Sequence, residues 1–121
     1  MITKQQALDA LAEVVAEMGE GYVYSRADGE EVHQFGCQYA INGEPSCIAG
    51  RAIFKLDPEL FEKFAQYEVD EEESFPICDV NENLDDVGIE PDALRVFQEA
   101  QEQQDCLETY GFALDAARAV V

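Results

Sequence analysis

Positive charge is scarce in this chain: seven Lys and Arg stand against twenty-seven Asp and Glu, leaving a formal net charge of −20 over 121 residues. Such a field excludes ordinary electrostatic attraction to a nucleic-acid backbone or an anionic membrane, since both would repel it. Tryptophan is absent, and His33 is the lone histidine. The four cysteines, Cys37, Cys47, Cys78 and Cys106, contain no C-x-x-C pair, so the spacing that marks a zinc site is missing. There is no Gly-rich phosphate loop. No apolar run reaches membrane-spanning length, and the opening M-I-T-K-Q-Q-A-L-D lacks the basic-then-apolar order of an export signal. These absences lead to the expectation of a cytoplasmic protein with no membrane association and no cofactor. Its thiols are expected to stay reduced and pack as small hydrophobes.

What is present is an ordinary core with charge added. Hydrophobic residues make up 47% of the chain, too many for a wholly disordered acidic polymer. The length fits one domain. The acids are unevenly spread: Glu68 to Asp92 holds eleven of them and not one Lys or Arg. Self-repulsion on that scale has to be offset by solvent, salt, cations or a basic partner.

The elements can be read in order. Thr3 and Gln6 have capping-box spacing, and Ala7, Leu8, Leu11, Val14, Val15 and Met18 follow on one helical face, with Gly19 and Gly21 suited to the exit. Y-V-Y-S-R, A-D-G-E and E-V-H-Q-F-G-C-Q-Y-A-I read as an antiparallel β-hairpin around Asp28-Gly29, its second strand ending at N-G-E-P. Ser46 is the expected cap of a short helix through Leu56, where Gly50 implies close approach of another element. Asp57-Pro58 starts a further helical piece. The run E-V-D-E-E-E-S is expected as a solvated loop or a frayed helix end. F-P-I-C-D-V is expected as an edge strand or extended segment, because Pro76 bars it from a sheet interior. Pro91 opens a helix to about Asp105 with Leu94, Phe97 and Ala100 inward. Thr109 caps a last helix carrying Phe112, Leu114 and Val120. The fold class is therefore α+β in a single domain over 1–121, with an acidic loop at about 68–90. It comprises an N-terminal helix, a small antiparallel hairpin sheet, short helices and two C-terminal helices.

Three constellations carry potential chemistry. Asp79, Asn81, Asn83 and Glu90 occupy positions 1, 3, 5 and 12 of a calcium-binding loop, although Leu84 replaces its turning Gly and Asp86 replaces an apolar residue. Cys47, placed just after a helix cap, is the best nucleophile, with His33 as its base. The bland reading of each is stronger: an Asn/Asp-rich turn in the first case, an inert core thiol in the second. Gln101 and Gln104 share the inward face with Phe97 and Ala100, so their amides either brace a neighbouring segment or form a contact surface.

P-S-C-I-A-G-R-A-I (Pro45–Ile53) resembles a P-x-C-I-V-G-x-x-L segment of small uncharacterised actinobacteriophage proteins. A-Q-E-Q-Q-D-C-L-E-T-Y-G-F-A-L (Ala100–Leu114) resembles their A-Q-x-x-Q-D-x-G-x-T-W-G-x-A-L ending. Leu107 stands where that pattern has Gly and Tyr110 where it has Trp, so the turn between the last two helices is expected to differ. The resemblance implies a phage-encoded α+β protein and transfers no functional residue. With the charge, it leads to the expectation of a non-enzymatic protein that binds a basic host protein. Glu68, Asp70, Glu71, Glu72, Glu73, Asp85 and Asp86 would form its contact surface. The alternatives are a nucleic-acid mimic whose carboxylates imitate a phosphate track, and a cysteine-dependent enzyme or calcium-binding module.

Overall fold

The computed structural model describes residues 1–25 and 38–121. The expected Asp28-Gly29 turn, most of its two strands, His33 and Cys37 lie outside the described residues.

Helix α1 (Lys4–Met18) begins as the spacing requires. The Thr3 hydroxyl accepts the Gln6 N–H at 3.2 Å and the Gln6 amide oxygen accepts the Thr3 N–H at 2.9 Å. Ala7, Ala10, Leu11, Val14 and Val15 are buried along one face. The chain stops at Gly19, whose φ of 98° is open to glycine at little cost. Just upstream of α1, Ile2 is stitched beside Ile89 in a parallel bridge, donating to Gly88 O at 2.8 Å and accepting from Glu90 N at 3.0 Å.

The described sheet is a two-residue antiparallel pair, β1 (Ala40–Ile41) and β2 (Glu44–Pro45), in the register Ala40 opposite Pro45 and Ile41 opposite Glu44. Asn42 and Gly43 reverse the chain with φ of 56° and 81°. Both positive values define the turn that joins tightly twisted strands, and Asn-Gly is its preferred sequence. The N-G-E-P segment thus makes a hairpin where a strand end was expected.

Helix α2 (Ile48–Leu56) is capped by Cys47, one residue later than expected: its sulfur accepts the Gly50 N–H at 3.4 Å. Ser46 instead bonds Tyr24 side chain to side chain at 2.6 Å. At Gly50 a Cβ would lie 2.3 Å from the Tyr39 carbonyl oxygen, so only glycine lets the hairpin backbone cross α2 there. Asp57 caps α3 (Pro58–Glu71), which runs far beyond the expected piece and ends at Glu72 in left-handed geometry. F-P-I-C-D-V forms no third strand: Ile77–Asp79 is a 3₁₀ turn leading into α4 (Val80–Asn83). Pro76 can start such a turn as readily as it can sit on a sheet edge.

Helix α5 (Pro91–Asp105) and helix α6 (Tyr110–Arg118) pack on each other and on α1. Thr109 caps α6 through the Phe112 N–H, as expected, but the buried face is Tyr110, Ala113, Leu114 and Ala117, and Phe112 points outward. The buried side chains form one contiguous cluster. Its aromatic heart is Tyr39, stacked on Phe64 with centroids 4.6 Å apart, with Phe75 tilted against both.

Candidate interaction surface

Polar groups inside this core are tied off. Glu68, in the last turns of α3, is buried, and its two carboxylate oxygens accept the Tyr39 and Ala40 N–H groups, each at 3.0 Å. This corrects its expected place on the contact surface: Glu68 points inward because β1 lies across α3 and presents two backbone donors that require an acceptor. Gln101 accepts the Ile77 N–H at 2.7 Å and donates to the Tyr39 hydroxyl at 3.0 Å, which itself donates to the Phe75 carbonyl at 2.7 Å. Gln104 accepts both the Ile48 N–H at 2.7 Å and the Tyr110 hydroxyl at 3.1 Å. The two glutamines are braces. They join α5 to the 3₁₀ turn, to α2 and to α6, and burial pushes the Tyr110 phenol far above its ordinary range.

Outside, the remaining acids of the stretch are solvent-facing. Asp70, Glu71, Glu72, Glu73, Glu82, Asp85 and Asp86 are exposed. Asp70, Glu71 and Glu82 are carried on α3 and α4, and Glu72, Glu73, Asp85 and Asp86 lie just beyond the ends of those helices. The Lys63 ammonium donates to Asp85 O at 3.2 Å and the Tyr67 hydroxyl donates to the Asn83 amide oxygen at 3.1 Å, so α3 is tied to the end of α4 and the turn after it. Two groups report the resulting field. The Tyr67 phenol is raised by desolvation and then by Glu73 and Glu71. The Cys78 thiol is raised by desolvation, by Asp79 beside it and by Glu102 on α5. Tyr67 thus feels the acids at the end of α3, and Cys78 those of the 3₁₀ turn and of the last turn of α5.

Each of the six described cations has a partner within the molecule, and only Lys63 reaches the acidic segment, through a backbone carbonyl. Lys4 donates to Val120 O at 2.7 Å and Arg51 to Ser46 O at 2.8 Å, and Lys63 is committed to Asp85 O. Lys55 pairs with Glu17, Arg95 with Asp92 at 3.1 Å, and Arg118 with Asp115 at 4.0 Å. Among the described residues, no ion pair reaches Asp70–Glu73, Glu82, Asp85 or Asp86.

The calcium-loop candidates do not form such a loop. Asp79 ends the 3₁₀ turn, and Asn81 and Asn83 lie in α4. The Asn83 amide donates to Asp79 O at 2.9 Å, and its oxygen is taken by Tyr67. Glu90 precedes Pro91 at the head of α5, joined through its N–H to Ile2. Helical φ and ψ carry the side chains outward around an axis, whereas a calcium loop turns its oxygens toward one centre. No group of three or more His, Cys, Asp or Glu among the described residues could hold a metal ion. Cys47 is fully buried, with its sulfur capping α2.

Sequence reading missed one feature of this surface. A groove of about 500 Å³ lies between the β1–β2 hairpin and α3, and Ala40, Ile41, Ala65 and Val69 supply its apolar lining. Asn42-Gly43 was the signal that could have placed the hairpin wall.

These observations define a mainly helical α+β domain with an internally braced core and a surface acidic segment that has no ion pair among the described residues. No family model, curated protein or solved structure matches the chain. No helix among the described residues is long and apolar enough to cross a membrane.

Proposed function

We propose that this chain is a non-enzymatic interaction protein, acting in the cytoplasm of a host cell, that binds a basic surface of a host protein. The observation that supports this most is the division of charge. The described cations are engaged within the molecule, while the exposed acids from Asp70 to Asp86 have no ion-pair partner among the described residues. A partner bearing Lys and Arg would relieve that repulsion on docking, and complementary charge would speed and orient the encounter. The phage origin rests on the resemblance of Pro45–Ile53 and Ala100–Leu114 alone.

Affinity capture from host lysate at low and high salt tests the reading, with the bound protein identified by mass spectrometry. The expected result is a basic partner retained at low salt and lost at high salt. It should also be lost in the variant combining Asp70→Asn, Glu71→Gln, Glu72→Gln and Glu73→Gln. Retention by that variant would overturn the assignment of the surface.

A second reading, nucleic-acid mimicry, draws support from the acids being carried on α3, α4 and α5, since an imitation of a phosphate track needs an ordered array. It adds one expectation: the captured partner binds DNA, and DNA displaces this protein from it. A partner that binds DNA and this protein simultaneously would exclude mimicry and leave the first reading standing.

A further inference from the structure

We propose that the groove between the β1–β2 hairpin and α3 is the specificity pocket of the acidic surface, docking an apolar side chain that the partner protein presents between Lys or Arg residues. This rests on the functional reading above and names the kind of segment recognised. Val69 is the key residue. It is 71% exposed, between Glu68 and Asp70 near the end of α3, and it lines the same concavity as Ala65 from α3 and Ala40 and Ile41 from the hairpin. A single exposed valine needs no explanation, but one that completes an apolar lining does. The volume of about 500 Å³ lies within the range of pockets that bury small ligands or a side chain with its flanking backbone.

The groove is pre-formed. Glu68, at its base, holds β1 on α3 through the Tyr39 and Ala40 N–H groups, so no wall has to be ordered on binding. Charge selects the occupant. Among the described residues no Lys or Arg lines the groove, Glu62 stands exposed on its rim, and Gln66 ties to Asp70 at 2.8 Å just beyond. A second copy of this chain would bring another −20 of charge to that rim, whereas a cationic segment with one apolar side chain satisfies both floor and edge.

The test is an amide-shift titration of the ¹⁵N-labelled full chain with three pentapeptides: Lys-Lys-Leu-Lys-Lys, the equally charged Lys-Lys-Ser-Lys-Lys, and the uncharged Ser-Ser-Leu-Ser-Ser. The leucine-bearing cationic peptide is expected to shift Ala40, Ile41, Ala65 and Val69 and to bind about tenfold tighter than its serine counterpart, the gain from burying one leucine side chain. Val69→Ser and, separately, Ile41→Ser should remove that advantage while leaving the thermal midpoint in place. Equal binding of the two cationic peptides, or equal binding of the uncharged one, would overturn the pocket. Cationic peptides that shift only Asp70–Glu73 and Asp85–Asp86 would likewise sink the pocket but leave the acidic-surface reading intact. Failure of both cationic peptides to bind anywhere at low salt would remove that reading as well.

Discussion

Glu68 and Glu71 are the same residue type one turn apart on α3, yet they have opposite surroundings. Glu68 is only 8% exposed, with both oxygens occupied by backbone donors, whereas Glu71 stands in solvent among like charges. Composition cannot separate them, because each is one acid in an acidic run. What separates them is where Tyr39 and Ala40 meet α3, presenting two N–H groups to Glu68. A carboxylate that receives two N–H bonds is part of the scaffold, and one that receives none is part of the field the protein presents to others.

The sharpest way to break this comparison is to truncate each in turn. Glu68→Ala leaves two buried N–H groups without acceptors, and at about 1–3 kcal/mol for each the expected loss is about 2–6 kcal/mol. Glu71→Ala is expected to change stability by no more than about 0.5 kcal/mol, the usual range for a solvent-facing site. Urea unfolding followed by circular dichroism measures both. Equal effects would mean that Glu68 is not the tether it is described to be. Gln104→Leu extends the test to the other side of the core, since it orphans the Ile48 N–H and the Tyr110 hydroxyl. The expected loss is about 2–4 kcal/mol by the same reasoning.

Smaller and of opposite sign is the effect expected at Leu107. The turn after α5 closes with Glu108 N donating to Gln103 O at 3.1 Å and Leu107 N donating to Gln104 O at 2.9 Å, while Leu107 itself sits at φ 63°. That paired bonding is the helix stop that normally takes glycine in the left-handed position. Leu107→Gly should therefore raise stability by about 0.5–1 kcal/mol, the left-handed strain relieved being partly offset by glycine's greater freedom when unfolded. A higher urea midpoint at unchanged slope is the expected observation.

The legibility of this fold follows the range of the forces involved. Thr3 with Gln6, Asp57-Pro58, Pro91 and Thr109 announced their helix starts because capping is settled within one turn of the chain. Gly50 signalled a close neighbour without naming it, and the neighbour is the Tyr39 carbonyl. Gln101 and Gln104 were legible as polar residues on an apolar face, but whether they were braces or contacts depended on what α2 and the 3₁₀ turn brought to them. The acidic run was expected as a solvated loop or a frayed helix end, and it holds the end of α3 at Glu71. Like charges in sequence imply a solvated loop only if no other element crosses, and here Phe61 and Phe64 bury one face of α3 and carry its helix through to Glu71. The expected contact surface included Glu68, which is buried instead, because its backbone partners Ala40 and Tyr39 lie 28 and 29 residues away in sequence.

The field itself has an internal reporter, and it gives the finest test of the exposed half of the comparison. The Tyr67 phenol lies above its ordinary value near 10, first through desolvation and then through Glu73 and Glu71. Raising a phenol's pKa in the folded state means that its contribution to stability is present below about pH 10 and is lost as pH rises through the shifted value. Replacing Glu71 and Glu73 by Gln removes only the charge contribution, so the Tyr67 titration should move downward and still remain above the ordinary value. Ultraviolet difference absorbance reads this out, with Tyr67→Phe identifying its share among the five tyrosines. Added salt should produce the same downward movement in the parent chain and little in the double variant, because screening acts on exposed charges and not on desolvation. If the double variant leaves the titration in place, Glu71 and Glu73 do not share a face with Tyr67, and the acidic surface breaks into separate patches too small to guide a partner.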